Sequence, residues 1–340
     1  MTTCYSLAIG SGTLNNKNDL LEVWYPKPLL KPEQNIVDAV AASVGLTTTQ
    51  LDDSQATQLS TALEQAGEKE LSDICRALVG GSRAIVICVL EQDSAPTDVP
   101  SAYLKLHLLS HRLVKPHQTV LDGVFGVLPN NAWTSEGAID PADLVERQLA
   151  ARLKGESIQV NCMDKFPKMT DYVVPSGVRI ADASRVRLGA YLGEGTTIMH
   201  EGFVNFNAGT EGPNMIEGRI SAGVFIGKGS DLGGGCSTMG TLSGGGNVVI
   251  AVGENCLIGA NAGIGIGLGD RCTVEAGLYI TAGTKVNLLD ESGSTIGTPK
   301  AADLSGKSDL LFRRNSLSGA IECLTNKSAI ELNEELHKHN

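Results

Sequence analysis

The sequence predicts a mixed fold: an N-terminal α/β domain (residues 1–115), a connecting α/β region (116–177), a parallel β-helix (178–288) and a small C-terminal segment (289–340). Three observations predict it. Apolar residues recur every six positions in the second half, 25 of the 40 glycines lie between residues 185 and 285, and the first half alternates amphipathic segments with short apolar runs. A six-residue period matches neither an α-helix nor an alternating strand, and it is typical of hexapeptide β-helix repeats.

Each six-residue unit of the repeat region supplies a strand and a corner, and three units close one triangular coil. The coils must stack, because no single unit can bury its inward residue alone. Glycine often follows the inward residue, where tight corners favour it. The predicted inward residues are Ile180, Val186, Leu192, Ile198, Val204, Ile220, Ile226, Leu232, Val252, Ile258, Ile264, Leu268, Val274, Ile280 and Val286.

Two stretches interrupt this register, residues 205–219 and 239–249, and both are predicted to leave the coil as loops. Loops on a rigid scaffold commonly carry functional sites. The first stretch contains Glu211, Glu217 and Arg219. The second contains Gly240 and a glycine run at 244–246, which can bring backbone N–H groups close to a ligand.

The remaining elements follow from local signals. The run at 83–90 is apolar throughout, so we expect a strand covered on both faces. A threonine run before Leu51 and Asp140 before Pro141 mark two helix starts, and Gly67 marks a helix end. His107 and His111 have a spacing that can hold a metal, but no third ligand lies nearby. Strands are predicted at 4–9, 23–25, 83–90, 158–162 and 320–324, and helices at 32–42, 51–66, 100–113, 141–153 and the polar tail.

Composition narrows the function classes. The net charge of −11 and the aromatic content of 4% argue against a nucleic-acid partner, which needs clustered cations and stacking surfaces. No run of eighteen apolar residues suggests a membrane span, and the N-terminus lacks a secretory signal, so we expect a cytoplasmic protein. The eight cysteines form no CxxC motif and are expected to be reduced thiols.

Several blocks of the sequence closely resemble the tetrahydrodipicolinate N-succinyltransferase family. They are MHEGFVNFNAG (199–209), MIEGRISAG (215–223), MGTLSGGG (239–246), VEAGLYITAGT (274–284) and LLFRRNS (310–316). The resemblance covers residues 160–335, and the N-terminal third matches the family only in general layout.

The resemblance implies an acyltransferase of the succinylase branch of lysine and diaminopimelate biosynthesis. Such an enzyme moves succinyl from succinyl-CoA to the amino group of ring-opened tetrahydrodipicolinate, without a tightly bound cofactor. It also implies a homotrimer of left-handed parallel β-helices with active sites between subunits. The left hand departs from the usual crossover and is taken from the family alone.

Acyl transfer from a thioester needs a proton acceptor or acyl carrier, and donors for the developing oxyanion. In the family, the position of Glu217 is assigned as the catalytic acid group, proposed to form an acyl anhydride, and that of Gly240 supplies a backbone N–H to the oxyanion. General-base action by Glu217 is equally consistent with the sequence. Arg219 can clamp a carboxylate. His200 is the alternative base, because many hexapeptide acyltransferases use a histidine.

The resemblance also assigns ligand contacts. Small residues on successive coils would give a groove for the pantetheine arm, and Lys300, Arg313 and Arg314 would hold the phosphates of CoA. The structural alternatives are a surface ion pair on a loop for Glu217 and Arg219, and a solvated pair at a strand end for Arg313 and Arg314. The substrate- and CoA-binding positions are Arg219, Gly234, Ser237, Ala260, Glu275, Ala276, Gly283, Lys300, Arg313, Arg314, Asn315 and Ser316.

Some family members hold Mg²⁺ on the three-fold axis through an Asp and a Glu of each chain. Glu201 matches the Glu, but the Asp position is Ser184, and a hydroxyl is a poorer ligand for a hard cation. Other functions compatible with the repeat are transfer from another acyl-CoA, a non-catalytic scaffold, and a γ-carbonic-anhydrase-like metalloprotein. The last needs histidines along the coils, where only His200 lies.

Overall fold

The computed structural model describes residues 4–240 and 249–325. The chain forms two compact units: unit 1 comprises residues 1–114, 118–167 and 171–173, and unit 2 comprises 115–117, 168–170 and 174–340. The four-part division predicted from the sequence stays a prediction. Within the described ranges, no helix has both the length and the apolar character that a membrane span requires.

Unit 1 is built around a sheet of strand order β2-β1-β5-β4, with β3 paired to β1. A second, three-stranded sheet has the order β7-β6-β8. The main core lies between the first sheet and α1–α3, with Ile9, Leu59 and Ile87 fully buried. The elements are β1 (Ser6–Leu14), β2 (Leu20–Trp24), β3 (Leu29–Leu30), α1 (Gln34–Val44), β4 (Thr49–Leu51), α2 (Asp53–Gln65), α3 (Lys69–Leu78), β5 (Ala84–Leu90), α4 (Val99–Ser110), α5 (Val124–Val127), β6 (Asn131–Thr134), β7 (Gly137–Ile139), α6 (Leu144–Leu153) and β8 (Val160–Asp164).

The predicted strands and helices of this part are confirmed, with two corrections at helix starts. The threonine run forms β4, and Asp52 caps α2 through a capping box with Gln55. Helix α6 begins three residues later than predicted, because the Asp140 carboxylate accepts a hydrogen bond from the N–H of Ala142 in the turn before it. Helix α3 was not predicted.

Of the two histidines, His107 on α4 belongs to the core, and half-buried His111 caps the C-terminal end of this helix. His107 is fully buried, its Nδ1 donates to the carbonyl of Tyr103 (2.7 Å), and its Nε2 accepts from the N–H of Tyr25 (3.2 Å). Both ring nitrogens are therefore occupied by the backbone. Burial lowers the pKa of His107 to about 3, so the ring is neutral.

Unit 2 is a parallel β-helix with three walls. The first wall is β9-β11-β14-β17-β20-β22-β26, the second is β12-β15-β18-β21-β23 and the third is β10-β13-β16-β19. The strands are β9 (Arg179–Ile180), β10 (Ala190–Leu192), β11 (Thr196–Ile198), β12 (Phe203–Val204), β13 (Ala208–Thr210), β14 (Asn214–Ile216), β15 (Arg219–Ile220), β16 (Phe225–Ile226), β17 (Asp231–Leu232), β18 (Ser237–Thr238), β19 (Ala251–Val252), β20 (Leu257–Ile258), β21 (Gly263–Gly265), β22 (Thr273–Val274), β23 (Tyr279–Thr281), β24 (Asn287–Leu289), β25 (Thr295–Gly297), β26 (Leu310–Arg314) and β27 (Ile321–Thr325).

The interior of this helix follows the six-residue register. Every predicted inward residue is buried except Ile180, which lies in the first strand of the first wall and is half-buried. Parallel pairs such as Ile198↔Ile216 and Leu232↔Ile258 stack these residues from coil to coil.

The predicted loop at 205–219 is wrong, because this stretch forms walls of the coil. Strand β13 pairs with β10 and β16, and β14 pairs with β11 and β17. The register is hidden in the sequence because Thr210 occupies an inward position, where its hydroxyl lies 2.8 Å from that of Thr196. A short step from Ile216 to Ile220 then shifts the period.

The second interruption falls between two buried wall residues, Thr238 and Val252. They stand fourteen positions apart, whereas the equivalent residues of the preceding coil, Ile220 and Ile226, stand six apart. The predicted loop between them includes residues 241–248, which lie outside the described residues.

The C-terminal part extends the first wall. Strand β26 pairs with β22 in parallel and with β27 in antiparallel orientation, and β24 joins β27 to β25. The predicted strand at 320–324 is therefore confirmed as β27. The predicted helical tail falls on residues 326–340, outside the described range.

Candidate active site

One corner of the β-helix, between the first and second walls, gathers five of the predicted site residues. Along it the N–H of Glu217 donates to Leu232, that of Gly233 to Ile258 and that of Gly259 to Val274 (2.8 Å each). Stacked strands lie about 4.8 Å apart. Glu217, Gly234, Ala260 and then Glu275 with Ala276 therefore stand on four successive coils. We call this line of residues, 217–218, 233–235, 259–261 and 275–277, the corner groove.

A second series of backbone hydrogen bonds links the same positions. Gly235 donates to the carbonyl of Glu217 (3.3 Å), Asn261 to that of Gly234 and Gly277 to that of Ala260 (2.8 Å each). At the far end, the Glu275 carboxylate accepts a hydrogen bond from the N–H of Arg314. The groove thus runs without a break from Glu217 to the strand that carries the predicted phosphate cations.

Small residues are needed for this stacking. A Cβ on Gly233 would lie 2.8 Å from the nitrogen of Ala260, and one on Gly259 would lie 2.5 Å from the nitrogen of Ala276. A Cβ on Gly234 would lie 3.3 Å from Oε2 of Glu217, so this carboxylate rests over the glycine. The contact between Gly234 and Glu217 joins two successive coils, so it could be predicted from the sequence only through the six-residue register.

The outer face of the second wall adjoins the corner groove and carries two further predicted residues. Arg219 on β15 pairs directly with Ser237 on β18. Ser237 pairs in turn with Gly263 on β21. The ring of Tyr279 lies over Gly263, where a Cβ would overlap it. Tyr279 was not predicted, and the signal that could have found it is a glycine within a wall strand.

Gly240, Gly283 and Lys300 lie at the opposite edge of the second wall. Gly240 follows β18, and a Cβ on it would lie 3.2 Å from the carbonyl oxygen of Ala222. Gly283 and Lys300 lie close together at the same edge, because Ala301 donates to the carbonyl of Thr284. A wall of four residues spans roughly 13 Å at about 3.3 Å each. Within one chain, Glu217 and Gly240 are therefore not brought together.

Arg313 and Asn315, at the end of the corner groove, are both held by Glu322. This carboxylate is 7% exposed, and it accepts hydrogen bonds from Nε of Arg313 (2.9 Å) and from Nδ2 of Asn315 (2.8 Å). Asn315 and Arg313 hold the pKa of Glu322 below its usual value. Sequence reasoning missed Glu322, although antiparallel pairing of β26 with β27 puts it directly opposite Arg313. Arg314 and Ser316 are exposed.

Cys236 and His200 are two other residues of potentially reactive type near Glu217. Burial raises the pKa of Cys236, which packs against Gly218, to about 12, so this thiol is not a nucleophile at neutral pH. His200 is exposed at the same corner, one coil before Glu217, and its Nδ1 lies 2.7 Å from Glu201.

Within one chain, Glu201 already has two basic neighbours that would compete with a cation. The carboxylate is engaged by His200 and lies 3.8 Å from the guanidinium of Arg185, which would compete with a cation. The hydroxyl of Ser184 donates to Asp182 (2.6 Å). In the described part of the chain, no group of three or more His, Cys, Asp or Glu side chains could hold a metal ion. No catalytic step is assigned to a metal.

Comparison with known proteins identifies the family. Three family models match: tetrahydrodipicolinate N-succinyltransferase N-terminal (residues 36–126), tetrahydrodipicolinate N-succinyltransferase middle (128–168) and hexapeptide repeat of succinyl-transferase (249–282). Proteins named 2,3,4,5-tetrahydropyridine-2,6-dicarboxylate N-succinyltransferase are 64% identical in Pseudomonas putida and 56% identical in Vibrio cholerae, each over 99% of both chains.

A solved structure agrees. The chain is similar to a Campylobacter jejuni protein described as a 2,3,4,5-tetrahydropyridine-2-carboxylate N-succinyltransferase, with a TM-score of 0.86 and 31% identity over 97% of this chain and 94% of that one. The matches cover the N-terminal third, which the sequence blocks did not reach. The chain therefore belongs to the tetrahydrodipicolinate N-succinyltransferase family of hexapeptide-repeat acyltransferases.

Proposed function

We propose that the protein transfers succinyl from succinyl-CoA to the amino group of ring-opened tetrahydrodipicolinate, giving N-succinyl-2-amino-6-oxopimelate and CoA in lysine and diaminopimelate biosynthesis. The observation that carries this proposal is the unbroken corner groove from Glu217 to Arg314. Four steps of about 4.8 Å make it roughly 19 Å long. An extended acyl-CoA fits such a line, with its thioester at Glu217 and its phosphates near Arg313 and Arg314.

Glu217 acts on the proton or on the acyl group. As a general base, it takes a proton from the attacking amine while the amine nitrogen bonds to the thioester carbon. The tetrahedral oxyanion accepts a hydrogen bond from the N–H of Gly240, and its collapse expels the CoA thiolate, which receives the proton. As a nucleophile, Glu217 displaces the thiolate to form an anhydride, which the amine then opens.

The side chains beside the groove recognise the substrates. Arg219 and Ser237 stand next to each other on the second wall, close to Glu217 along the chain, and suit a carboxylate of the acceptor or of the succinyl group. Ala260 and Ala276 are exposed and small, so they leave space for the pantetheine arm. Glu275 fixes the backbone at Arg314.

The proposal includes a cytoplasmic homotrimer of left-handed β-helices. Glu217 and Gly240 lie at opposite edges of one wall, so a single chain does not provide both to one thioester. If the Glu217 edge of one copy faces the Gly240 edge of the next, each boundary between copies completes one site. Three such boundaries close a ring.

A thiol-release assay with succinyl-CoA and tetrahydrodipicolinate tests the proposal. We expect Glu217→Gln to lower kcat by about 10³-fold or more while the fold is retained. The matched control is Glu254→Gln, an exposed glutamate at another corner, which should turn over normally. Near-normal activity of E217Q would exclude Glu217 from the mechanism and leave His200 as the candidate base. Acetyl-CoA, compared at the same concentration, should be a poor donor.

The two roles of Glu217 give different results without the acceptor. An anhydride requires the release of one equivalent of CoA thiol per active site when succinyl-CoA alone is added. A general base requires none above slow hydrolysis. Rapid-quench measurement of free thiol decides between them.

A further inference from the structure

Unit 1 contains a polar cavity of about 280 Å³ that none of the predicted acyl-transfer residues touches. It lies where the end of β1 and the start of β5 meet the β6–β7 hairpin and the first turns of α6. All predicted site residues belong to unit 2, so this cavity is separate from the candidate active site.

The floor of the cavity is formed by Arg83. Its Nη1 donates to the hydroxyl of Thr13 (2.7 Å) and to Glu22 (3.1 Å), a carboxylate that is only 3% exposed. Its Nη2 lies against Gly137, where a Cβ would be 3.1 Å away. Among the described residues, Nε and Nη2 have no hydrogen-bond partner. The guanidinium is thus held in place by one nitrogen, and Arg83 contributes to the lining of the cavity.

A second guanidinium lines the same space. Arg147 on α6 donates from Nη2 to Glu136 of the hairpin turn (2.7 Å), and its other two nitrogens are without a hydrogen-bond partner in the described part of the chain. Asp143 accepts a hydrogen bond from the N–H of Asn16 through Oδ2 (3.0 Å), which leaves Oδ1 available.

The loop after β1 closes one end of the cavity through two contacts with the segment before α6. Asn15 donates to Asp140 (2.9 Å), next to the contact between Asn16 and Asp143. Hydrogen bonds from Ala142 and Asn15 hold the pKa of Asp140 below its usual value, so this anchor stays ionised. The cavity is therefore held by specific polar contacts at its floor and at this end.

Charge and size restrict the ligand class. Two guanidiniums favour a carboxylate, whereas Glu136 and Asp143 favour an ammonium group. The positive and negative groups at the surface of the cavity balance, which disfavours a polyanion such as a nucleotide. The volume lies just below the usual range of ligand pockets, about 300–1,000 Å³, and excludes large ligands.

We propose that this cavity binds a small α-amino acid, with its carboxylate on Arg83 and Arg147 and its ammonium group on Asp143 and Glu136. This inference does not depend on the proposed acyl transfer.

Isothermal titration of the full-length protein tests the proposal with L-alanine, L-glutamate and L-lysine as probes. Propionate and ethylammonium each carry one of the two charged groups and serve as comparators. We expect at least one amino acid to bind with one site per chain and at least tenfold more tightly than either comparator. Absence of binding by all three amino acids up to about 10 mM overturns the proposal. So does equally tight binding of propionate.

Variants locate the binding. Arg147→Gln should weaken the bound amino acid at least tenfold, and Asp143→Asn should remove its advantage over propionate. Arg147 is exposed, so R147Q is expected to fold, which its thermal unfolding checks. The matched control is Arg76→Gln, another exposed, ion-paired arginine of unit 1, which should bind normally. Unchanged affinity in R147Q would place the ligand elsewhere and overturn the assignment.

Discussion

The carboxylate of Glu275 accepts a hydrogen bond of 2.6 Å from the backbone N–H of Arg314, which lies 39 positions later in the chain. This contact joins the corner groove to the strand that presents Arg313 and Arg314. In the proposed binding site for CoA, this contact accounts for the presence of a glutamate beside the cations. The Glu275 carboxylate binds the backbone N–H of Arg314 and so fixes the position of this residue.

Removing this contact should affect CoA binding more than chemistry. We expect Glu275→Ala to raise the KM for succinyl-CoA about tenfold and to change kcat little, because Arg314 loses its anchor while Glu217 is untouched. Glu275→Gln retains an acceptor and should lie between E275A and the wild type. Steady-state kinetics with varied succinyl-CoA measures both constants. A fall in kcat at unchanged KM would show that Glu275 has a different role.

Gly218 packs closely against the buried Cys236 inside the corner that carries Glu217. A Cβ at residue 218 would overlap Sγ of Cys236 and lie 2.7 Å from its carbonyl oxygen. We expect Gly218→Ala to cost about 1–3 kcal/mol of stability through overpacking and to displace Glu217. Gly297→Ala is the control, because no atom lies within 4 Å of a Cβ there. Denaturant unfolding followed by circular dichroism, together with turnover, measures both effects, and a stable, active G218A would contradict the packing.

The hydroxyl pair of Thr196 and Thr210 tests the corrected register. Thr210→Val leaves the buried Thr196 hydroxyl without this partner, so we expect a loss of about 1–3 kcal/mol. The double variant T196V/T210V removes both hydroxyls and should recover much of that loss. Far-UV circular dichroism during urea unfolding gives the coupling energy of the cycle. Additive effects of the two substitutions would mean that the hydroxyls do not interact.

The buried His107 predicts acid sensitivity of unit 1. Burial lowers the pKa of His107 in the folded state to about 3, whereas the unfolded chain binds this proton near pH 6.5. The unfolding free energy should therefore fall as the pH falls from 6.5 towards 3, by at most about 1.4 kcal/mol per pH unit for this group. Burial raises the pKa of Glu22, which acts in the opposite direction.

Comparison of variants isolates the His107 contribution. Both tryptophans, Trp24 and Trp133, lie in unit 1, so their fluorescence reports its unfolding. We expect His107→Gln to reduce the pH slope, whatever its effect on stability at neutral pH. His200→Gln, which changes an exposed histidine of unit 2, should leave the slope unchanged. An identical slope in H107Q would exclude His107 as the source.

Much of the β-helix was predictable because aliphatic residues repeat in register. The prediction failed at Thr210, since a polar residue filled an inward position and a short step to Ile220 followed it. The line of predicted residues along the corner groove came from the family resemblance, and their common edge became visible only with the strand pairing. Tyr279 and Glu322 were missed because their roles depend on neighbours from other coils.

In the N-terminal unit, propensity and capping signals predicted most elements. Helix α3 was missed because its polar residues obscured the periodic Leu71, Cys75 and Leu78. The cavity lined by Arg83 and Arg147 could not be predicted, because it joins three segments that are distant in the sequence.

In the proposed homotrimer, Glu217 of one copy and Gly240 of its neighbour form one active site. Subunit complementation tests it most directly: Glu217→Ala and Gly240→Pro, which removes the N–H donor, should each be inactive alone. After the two variants are refolded together, random mixing should restore roughly a quarter of the wild-type turnover, because about one boundary in four combines an intact Glu217 with an intact Gly240. A mixture as inactive as its two components would contradict the account.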